Sequence, residues 1–183
     1  MICVYHNRDL DGYTSGAIVK FKYPEAKLIG YDYGKPFPWE QIDEGEDVIM
    51  VDVSLPMDDM LKLANRCQTF TFIDHHISAI HDWKLREWPL NVTAVFDIGI
   101  SACEGTWKHL CTGWEMPLAV LLLGEYDTWR NKDVERWEKM ILPFQFGMRM
   151  RCNSPESFPA DLLTSGEKSG IIACSHIIYE GDL

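Results

Sequence analysis

The chain has 183 residues, 46% of them apolar, and a formal net charge of −11. That length suits one domain, or one domain with a small appendage. No apolar run approaches the roughly 18 to 20 residues of a membrane span, the longest being residues 117–124, and so acidic a chain does not draw long duplex nucleic acid by its overall field.

In chain order, strand-like and helix-like runs alternate. Residues 2–5 are short and apolar, and residues 12–22 read as a helix in which Ala17, Ile18 and Phe21 recur at helical spacing until Pro24 stops it. Residues 27–31 are a second strand candidate and 34–38 a loop. Residues 48–51 form a continuous apolar run, as in a strand covered on both faces. Residues 56–66 are helical, with Met57, Met60, Leu61 and Ala64 on one face, and residues 69–73 and 92–96 are two more strands. Ser101 followed by Glu104 has the spacing of a capping box. From Leu118 onward only helices are read, over 118–126, 133–148 and 170–179. The expected fold is therefore α/β: a five-stranded, mainly parallel sheet with helices on both faces, followed by a helical C-terminal segment. Residues 153–159 are a loop and the candidate boundary. It separates a domain at 1–152 from residues 153–183, read as a helical appendage or the start of a C-terminal substrate domain.

The start of the chain runs almost at once into a strand, which is read as the absence of a signal peptide. The cysteines Cys3, Cys67, Cys103, Cys111, Cys152 and Cys174 form no C-x-x-C pair, so no zinc knuckle is expected. Reduced, buried thiols in a cytoplasmic protein are the expectation.

Functional residues in open parallel sheets gather where strands end. Here the first strand runs into His6-Asn7-Arg8-Asp9-Leu10-Asp11-Gly12, the third into Asp52 and the fourth into Asp74-His75-His76. An aspartate after a strand often only caps the next helix. Three such ends with acids and imidazoles on one sheet edge go beyond capping, and without a cation their charges would repel. Mixed carboxylate and imidazole ligands suit Mn²⁺, Mg²⁺, Fe²⁺ or Co²⁺, and a pair of such ions about 3.5 to 4 Å apart is the usual clamp for phosphoryl hydrolysis. Asp52, between the other two clusters in sequence, is the candidate bridge.

These residues resemble the DHH phosphoesterase superfamily. Asp74-His75-His76 after an apolar strand matches the signature for which the superfamily is named. Residues 6–15 resemble its first motif, 51–54 its second and 124–129 its fourth, while 101–104 resemble the small-residue segment after the fifth strand. The likeness covers about residues 1–129. The superfamily includes RecJ-type exonucleases, nano-RNA and cyclic-dinucleotide phosphodiesterases, and family II pyrophosphatases. It implies that His6, Asp9 and Asp52 hold one metal and that Asp11, Asp52, His75 and Asp127 hold another. It also places His76 against the substrate phosphate and makes Asp74 a partner that orients a ligand histidine. The first motif is spaced H-x-x-D here, where some subfamilies have H-x-x-x-D or H-x-D.

The implied activity is hydrolysis of phosphodiester bonds in short oligonucleotides, cyclic dinucleotides or another small phosphate. Two Mn²⁺ or Mg²⁺ ions would activate the attacking water, with His76, Asp52 and Asp74 as the catalytic residues. Arg8 and Arg130 are candidate phosphate clamps, against the plainer reading of surface charge. Tyr13, Tyr31, Tyr33, Trp39 and Trp129 carry no assignment. Expected partners are a small phosphorylated substrate or a short oligonucleotide, with a homodimer as an open alternative. A pyrophosphatase-like phosphoanhydride hydrolase and a non-catalytic metal-binding module are the competing readings.

Overall fold

The apolar runs form strands because each is short, rich in branched or aromatic side chains, and covered by helices on both sides. The computed structural model describes residues 1–164 and 167–181. β1 (Ile2–His6), β2 (Lys27–Tyr31), β3 (Asp47–Val51), β4 (Thr69–Asp74) and β5 (Val92–Phe96) make one sheet in the order β2-β1-β3-β4-β5. Every pairing is parallel. The register aligns Tyr5 with Val51 and Val51 with Ile73, so the next residues, His6, Asp52 and Asp74, lie in one row across the carboxyl edge. The chain leaves β1 for β2 on one side and resumes at β3 on the other. This puts the topological switch point between β1 and β3, where open sheets form their crevice.

α1 (Leu10–Lys22), α2 (Met57–Arg66), α3 (Ile77–Lys84) and α4 (Ala102–Leu110) divide between the two faces. Cys3, Tyr5, Ile49, Val51 and Ile73 pack against Val19 of α1 and Leu110 of α4. Val4, Met50, Phe70 and Phe72 pack against Met60 and Leu63 of α2 and Trp83 of α3. The alternation of these residues along each strand is the period-two rule at work.

α5 (Leu118–Asp127), α6 (Val134–Arg136), α7 (Leu142–Arg151), α8 (Asp161–Thr164) and α9 (Glu167–Gly181) add an outer helical layer over α1 and α4. Phe158, Leu162, Cys174 and Ile177 share one buried cluster with Leu10, Trp107, Leu122 and Phe144, so the segment after residue 153 packs into the same body as the sheet's covering helices. The helix read over 133–148 is interrupted by a π-helical turn at Trp137–Ile141. Pro143 lies just beyond this turn; it lacks the N–H that an α-helix would need there, and the widened turn accommodates its ring. α3 was not read from the sequence. It starts on His76 without a side-chain cap and carries an exposed Ile77, so neither start signal nor clean periodicity marks it. No helix among the described residues is long and apolar enough to cross a membrane.

Candidate metal centre

Each candidate ligand is held at the sheet edge by local chemistry. Asp9 caps α1, accepting from the Gly12 N–H at 3.0 Å. Gly12 has to lack a side chain: a Cβ there would lie 2.0 Å from the His6 carbonyl oxygen. That close approach folds the start of α1 back over the end of β1 and sets Asp9 and Asp11 beside His6. Asp11 is buried and accepts from the Ala102 and Cys103 N–H groups at 2.9 and 2.7 Å, the first amides of α4. The positive end of that helix therefore faces its carboxylate. Asp52 has left-handed backbone, φ 60°, while its N–H still donates to the Ile73 carbonyl at 3.0 Å. Aspartate tolerates this region better than most residues, and the kink turns its side chain out of the ladder and into the crevice.

Asp74 ends β4, and its Oδ1 accepts from three donors: the His75 N–H (2.7 Å), the His76 N–H (3.0 Å) and the His76 ring Nδ1 (2.7 Å). The ring that Asp74 orients is thus that of His76, not of the candidate ligand His75. Asp127 arrives from the end of α5. Gly124 permits this approach, since a Cβ there would meet Glu104 Oε2 at 2.4 Å and Ser101 Oγ at 2.7 Å.

The side chains converge in two groups joined by one carboxylate. His6 Nδ1 lies 2.8 Å from Asp9 Oδ2 and 3.5 Å from Asp52 Oδ2. His75 Nε2 lies 3.3 Å from Asp127 Oδ2 and 3.6 Å from both Asp11 Oδ2 and Asp52 Oδ1. His6, Asp9 and Asp52, and likewise Asp11, His75 and Asp127, each bring ligand atoms within 4.8 Å of one another. Asp52, His75 and His76 form an overlapping set, but Nδ1 of His76 is already engaged by Asp74.

Whether this donor set fits divalent cations is tested by its orphaned atoms. His6 Nδ1, Asp52 Oδ2 and Asp74 Oδ2 are buried without a well-formed hydrogen bond; the first two face each other at 3.5 Å, and Asp9 Oδ2 lies 2.8 Å from His6 Nδ1. Polar atoms in such a position are costly unless something pairs them, and a cation between them satisfies both. Imidazole plus carboxylate donors are those that Mn²⁺ or Mg²⁺ accept, so the residues fit.

The electrostatics agree. Burial pushes the Asp52 carboxyl up to about 8, with the charges of Asp9 and Asp127 adding to it and His6 opposing. Burial and the Asp52 charge raise Asp11 to about 7, and burial and the Asp11 charge raise Asp127 to about 7. Burial disfavours a charged His6, yet the Asp52 and Asp9 carboxylates outweigh it and lift the imidazole to about 10. His76 rises to about 9, chiefly through its bond to Asp74 and against the effect of burial. A crowd of acids forced to share too few positive partners gives this pattern.

The structure brings His6, Asp9, Asp11, Asp52, His75 and Asp127 together, with His76 and Asp74 beside them. Arg8 stands at the rim, 68% exposed, its Nε 3.6 Å from Asp32 Oδ2. Arg130 is anchored instead on the buried Glu104 carboxylate, through Nη2 at 2.5 Å, and donates from Nε to Thr128 Oγ1 at 2.9 Å. Two neighbours carry no assignment from the sequence. Asp32 lies 3.8 Å from His6 Nε2, and Tyr33 sets its ring edge-on to His6, centroids 5.6 Å apart. Asp32 follows β2 as directly as Asp52 follows β3, so the strand-end rule could have found it.

A scan against protein-family models finds no match, and no curated protein matches the chain. Among solved structures, the chain is similar to an uncharacterized protein from Helicobacter pylori G27, with a TM-score of 0.59 and 16% identity. That likeness covers 99% of this chain and 62% of the other; the chain thus spans under two thirds of its neighbour's length. At this identity the match supports the α/β fold alone.

Proposed function

We propose that this chain is a two-metal phosphoesterase of the DHH type, hydrolysing phosphodiester bonds of a small or short nucleotide substrate. One observation carries the reading: the two oxygens of the Asp52 carboxylate face different donor groups, Oδ2 toward His6 and Oδ1 toward His75. That is the placement of a bridging ligand between paired cations.

His6, Asp9 and Asp52 would hold one Mn²⁺ or Mg²⁺, and Asp11, Asp52, His75 and Asp127 the other. Bound there, the ions would supply positive charge to a phosphate and acidify the attacking water. The chain's own residues do the rest. Asp74 fixes the His76 ring through Nδ1, which leaves Nε2 to donate to a phosphate oxygen. The donor so positioned offsets charge that grows on the oxygens as water adds. The α4 amides hold Asp11 in place as the site fills. A reducing compartment such as the cytoplasm accords with the six buried free thiols.

The test is turnover of bis-p-nitrophenyl phosphate, a dinucleotide and pyrophosphate by purified protein, with Mn²⁺ and with EDTA. Mn²⁺-dependent cleavage of the diesters is expected. Cleavage of pyrophosphate alone would overturn the diesterase reading in favour of a phosphoanhydride hydrolase. Tight Mn²⁺ binding with no turnover on any of the three would leave a non-catalytic metal-binding module.

A further inference from the structure

Beside His6, on the β2 side of the crevice, two recesses meet. One, of about 450 Å³, is lined by Asn7, Arg8, Gly30, Asp32 and Lys35 among others. The second, of about 570 Å³, is lined by Tyr33, Phe37, Trp39 and Ser54 among others. Tyr31, Lys35 and Pro36 are common to both. Each has room for a nucleotide-sized group, and each reaches the candidate metal edge through one wall residue: Asp32 of the first lies 3.8 Å from His6 Nε2, and Tyr33 of the second packs on the His6 ring.

The chemistry of the walls is specific. In a chain of net charge −11, two cations converge on this one recess. Arg8 engages Asp32 only through Nε, at 3.6 Å, so both Nη groups are without a partner among the described residues. Lys35 forms no ion pair among them. The turn that returns the Lys35 N–H to the Asp32 carbonyl, at 3.2 Å, with Gly34 at φ 75°, holds it over the recess. A planar guanidinium fork with a nearby ammonium is a phosphate-binding pair. Beside it, Tyr33 is 46% exposed, yet pinned twice: its hydroxyl accepts from the Ser54 N–H at 3.3 Å, and its ring packs against the His6 ring at an interplanar angle of 63°. A fixed, half-exposed aromatic face costs little entropy when a base stacks on it. Asp32 contributes a carboxylate to the first recess, where it faces Arg8 and His6, and Asp59 one to the second.

We propose that these recesses bind the nucleotide next to the cleaved bond, its phosphate on Arg8 and Lys35 and its base on Tyr33. This rests on the phosphoesterase reading and narrows the substrate to an oligonucleotide or dinucleotide, since pyrophosphate has neither a base nor a reach into this side. The phosphate pair recognises charge and the tyrosine recognises any base, so preference among bases is weak.

Calorimetric titration with AMP, adenosine and inorganic phosphate, on the metal-free and the Mn²⁺-loaded chain, tests this without requiring turnover. AMP is expected to bind tighter than either of its parts. Replacing both cations (Arg8→Ala with Lys35→Ala) should weaken AMP binding tenfold or more, with the salt dependence flattened. Tyr33→Leu should weaken AMP at least fivefold and leave inorganic phosphate unmoved. Unchanged AMP affinity in these variants, or AMP no tighter than phosphate in the wild type, overturns the proposal. Should the double variant lose circular-dichroism signal, Lys35→Ala alone, which removes a side chain with no ion pair among the described residues, should keep the signal and weaken AMP binding several-fold; unchanged affinity there overturns the proposal too. Failure of the phosphoesterase reading shows separately, as absent diester turnover in a protein that still discriminates AMP.

Discussion

Asp52 Oδ2 stands 3.5 Å from His6 Nδ1 across the gap between β3 and β1, both atoms buried and neither in a well-formed hydrogen bond. The same carboxylate turns its other oxygen to His75. The fold therefore holds an unsatisfied acid at the meeting point of two donor sets. Such an arrangement costs stability in the protein alone and recovers it when a cation binds.

Asp52→Asn separates these two effects. Asparagine keeps the shape and tolerates the left-handed backbone at φ 60°, but carries no charge. The metal-free variant should be more stable than wild type at pH 8, by about 1 to 3 kcal/mol. The rise in Tm that Mn²⁺ produces in the wild type should largely vanish. Thermal melts with Mn²⁺ and with EDTA measure both, and an undiminished Mn²⁺ shift would remove Asp52 from the bridge.

The raised carboxyls set the sign of a pH effect. Asp11 and Asp127 at about 7 and Asp52 at about 8 sit above their ordinary value of 3.8. A group raised in the folded state contributes stability in full below its unfolded value and loses it as pH climbs through the folded one. His6 at about 10 and His76 at about 9 act in the same direction at higher pH. Asp9, held below its ordinary value mainly by His6 against the effect of burial, changes only in acid. The metal-free protein should therefore lose stability steadily from about pH 5 to pH 8. A cation replaces the protons on these acids, so the Tm gain from Mn²⁺ should grow over the same interval. Melts at pH 5, 6, 7 and 8 decide it; a gain that shrinks with pH would contradict the shared-acid arrangement.

The strand ends were legible because an apolar run followed at once by His6, Asp52 or Asp74 reports both the strand and its exit on one edge. Parallel order followed from the alternation of β and α, and the observed register then aligned those three residues. Asp127 was not legible this way: an acid at the end of an apolar helix looks like any other until the helix is docked, and only the resemblance to a family motif singled it out. The Arg130–Glu104 pair joins residues 26 apart in sequence, and no local signal predicts a partner at that distance. The π-helical turn before Pro143 was hidden because apolar periodicity survives across it.

Asp74→Asn probes the histidine it orients. The amide cannot hold a protonated His76 as the carboxylate does, so the His76 ring should fall from about 9 toward its ordinary value. An NMR titration of the metal-free protein reads this directly. Diester turnover should drop by about 10² to 10⁴, with Mn²⁺ stoichiometry kept because Asp74 engages His76 rather than the two donor sets. Loss of Mn²⁺ binding instead would mean that Asp74 serves the metals themselves.

Glu104 touches none of the candidate ligands, yet it should affect one of the two donor sets. Its carboxylate is buried, accepts from the Ser101 N–H at 3.1 Å, and holds Arg130. It thereby fixes the first turn of α4, whose Ala102 and Cys103 amides bind Asp11. Glu104→Gln keeps the size but weakens the Arg130 pair and replaces a charged acceptor in the cap. A stability loss of about 1 to 3 kcal/mol is expected. Mn²⁺ affinity at the Asp11, His75 and Asp127 set should fall several-fold, while the His6, Asp9 and Asp52 set, on the far side of the crevice, changes less. Two-step Mn²⁺ titration by calorimetry distinguishes the sets. Equal weakening of both steps would show that Glu104 acts on overall stability alone and that α4 does not position Asp11 for metal.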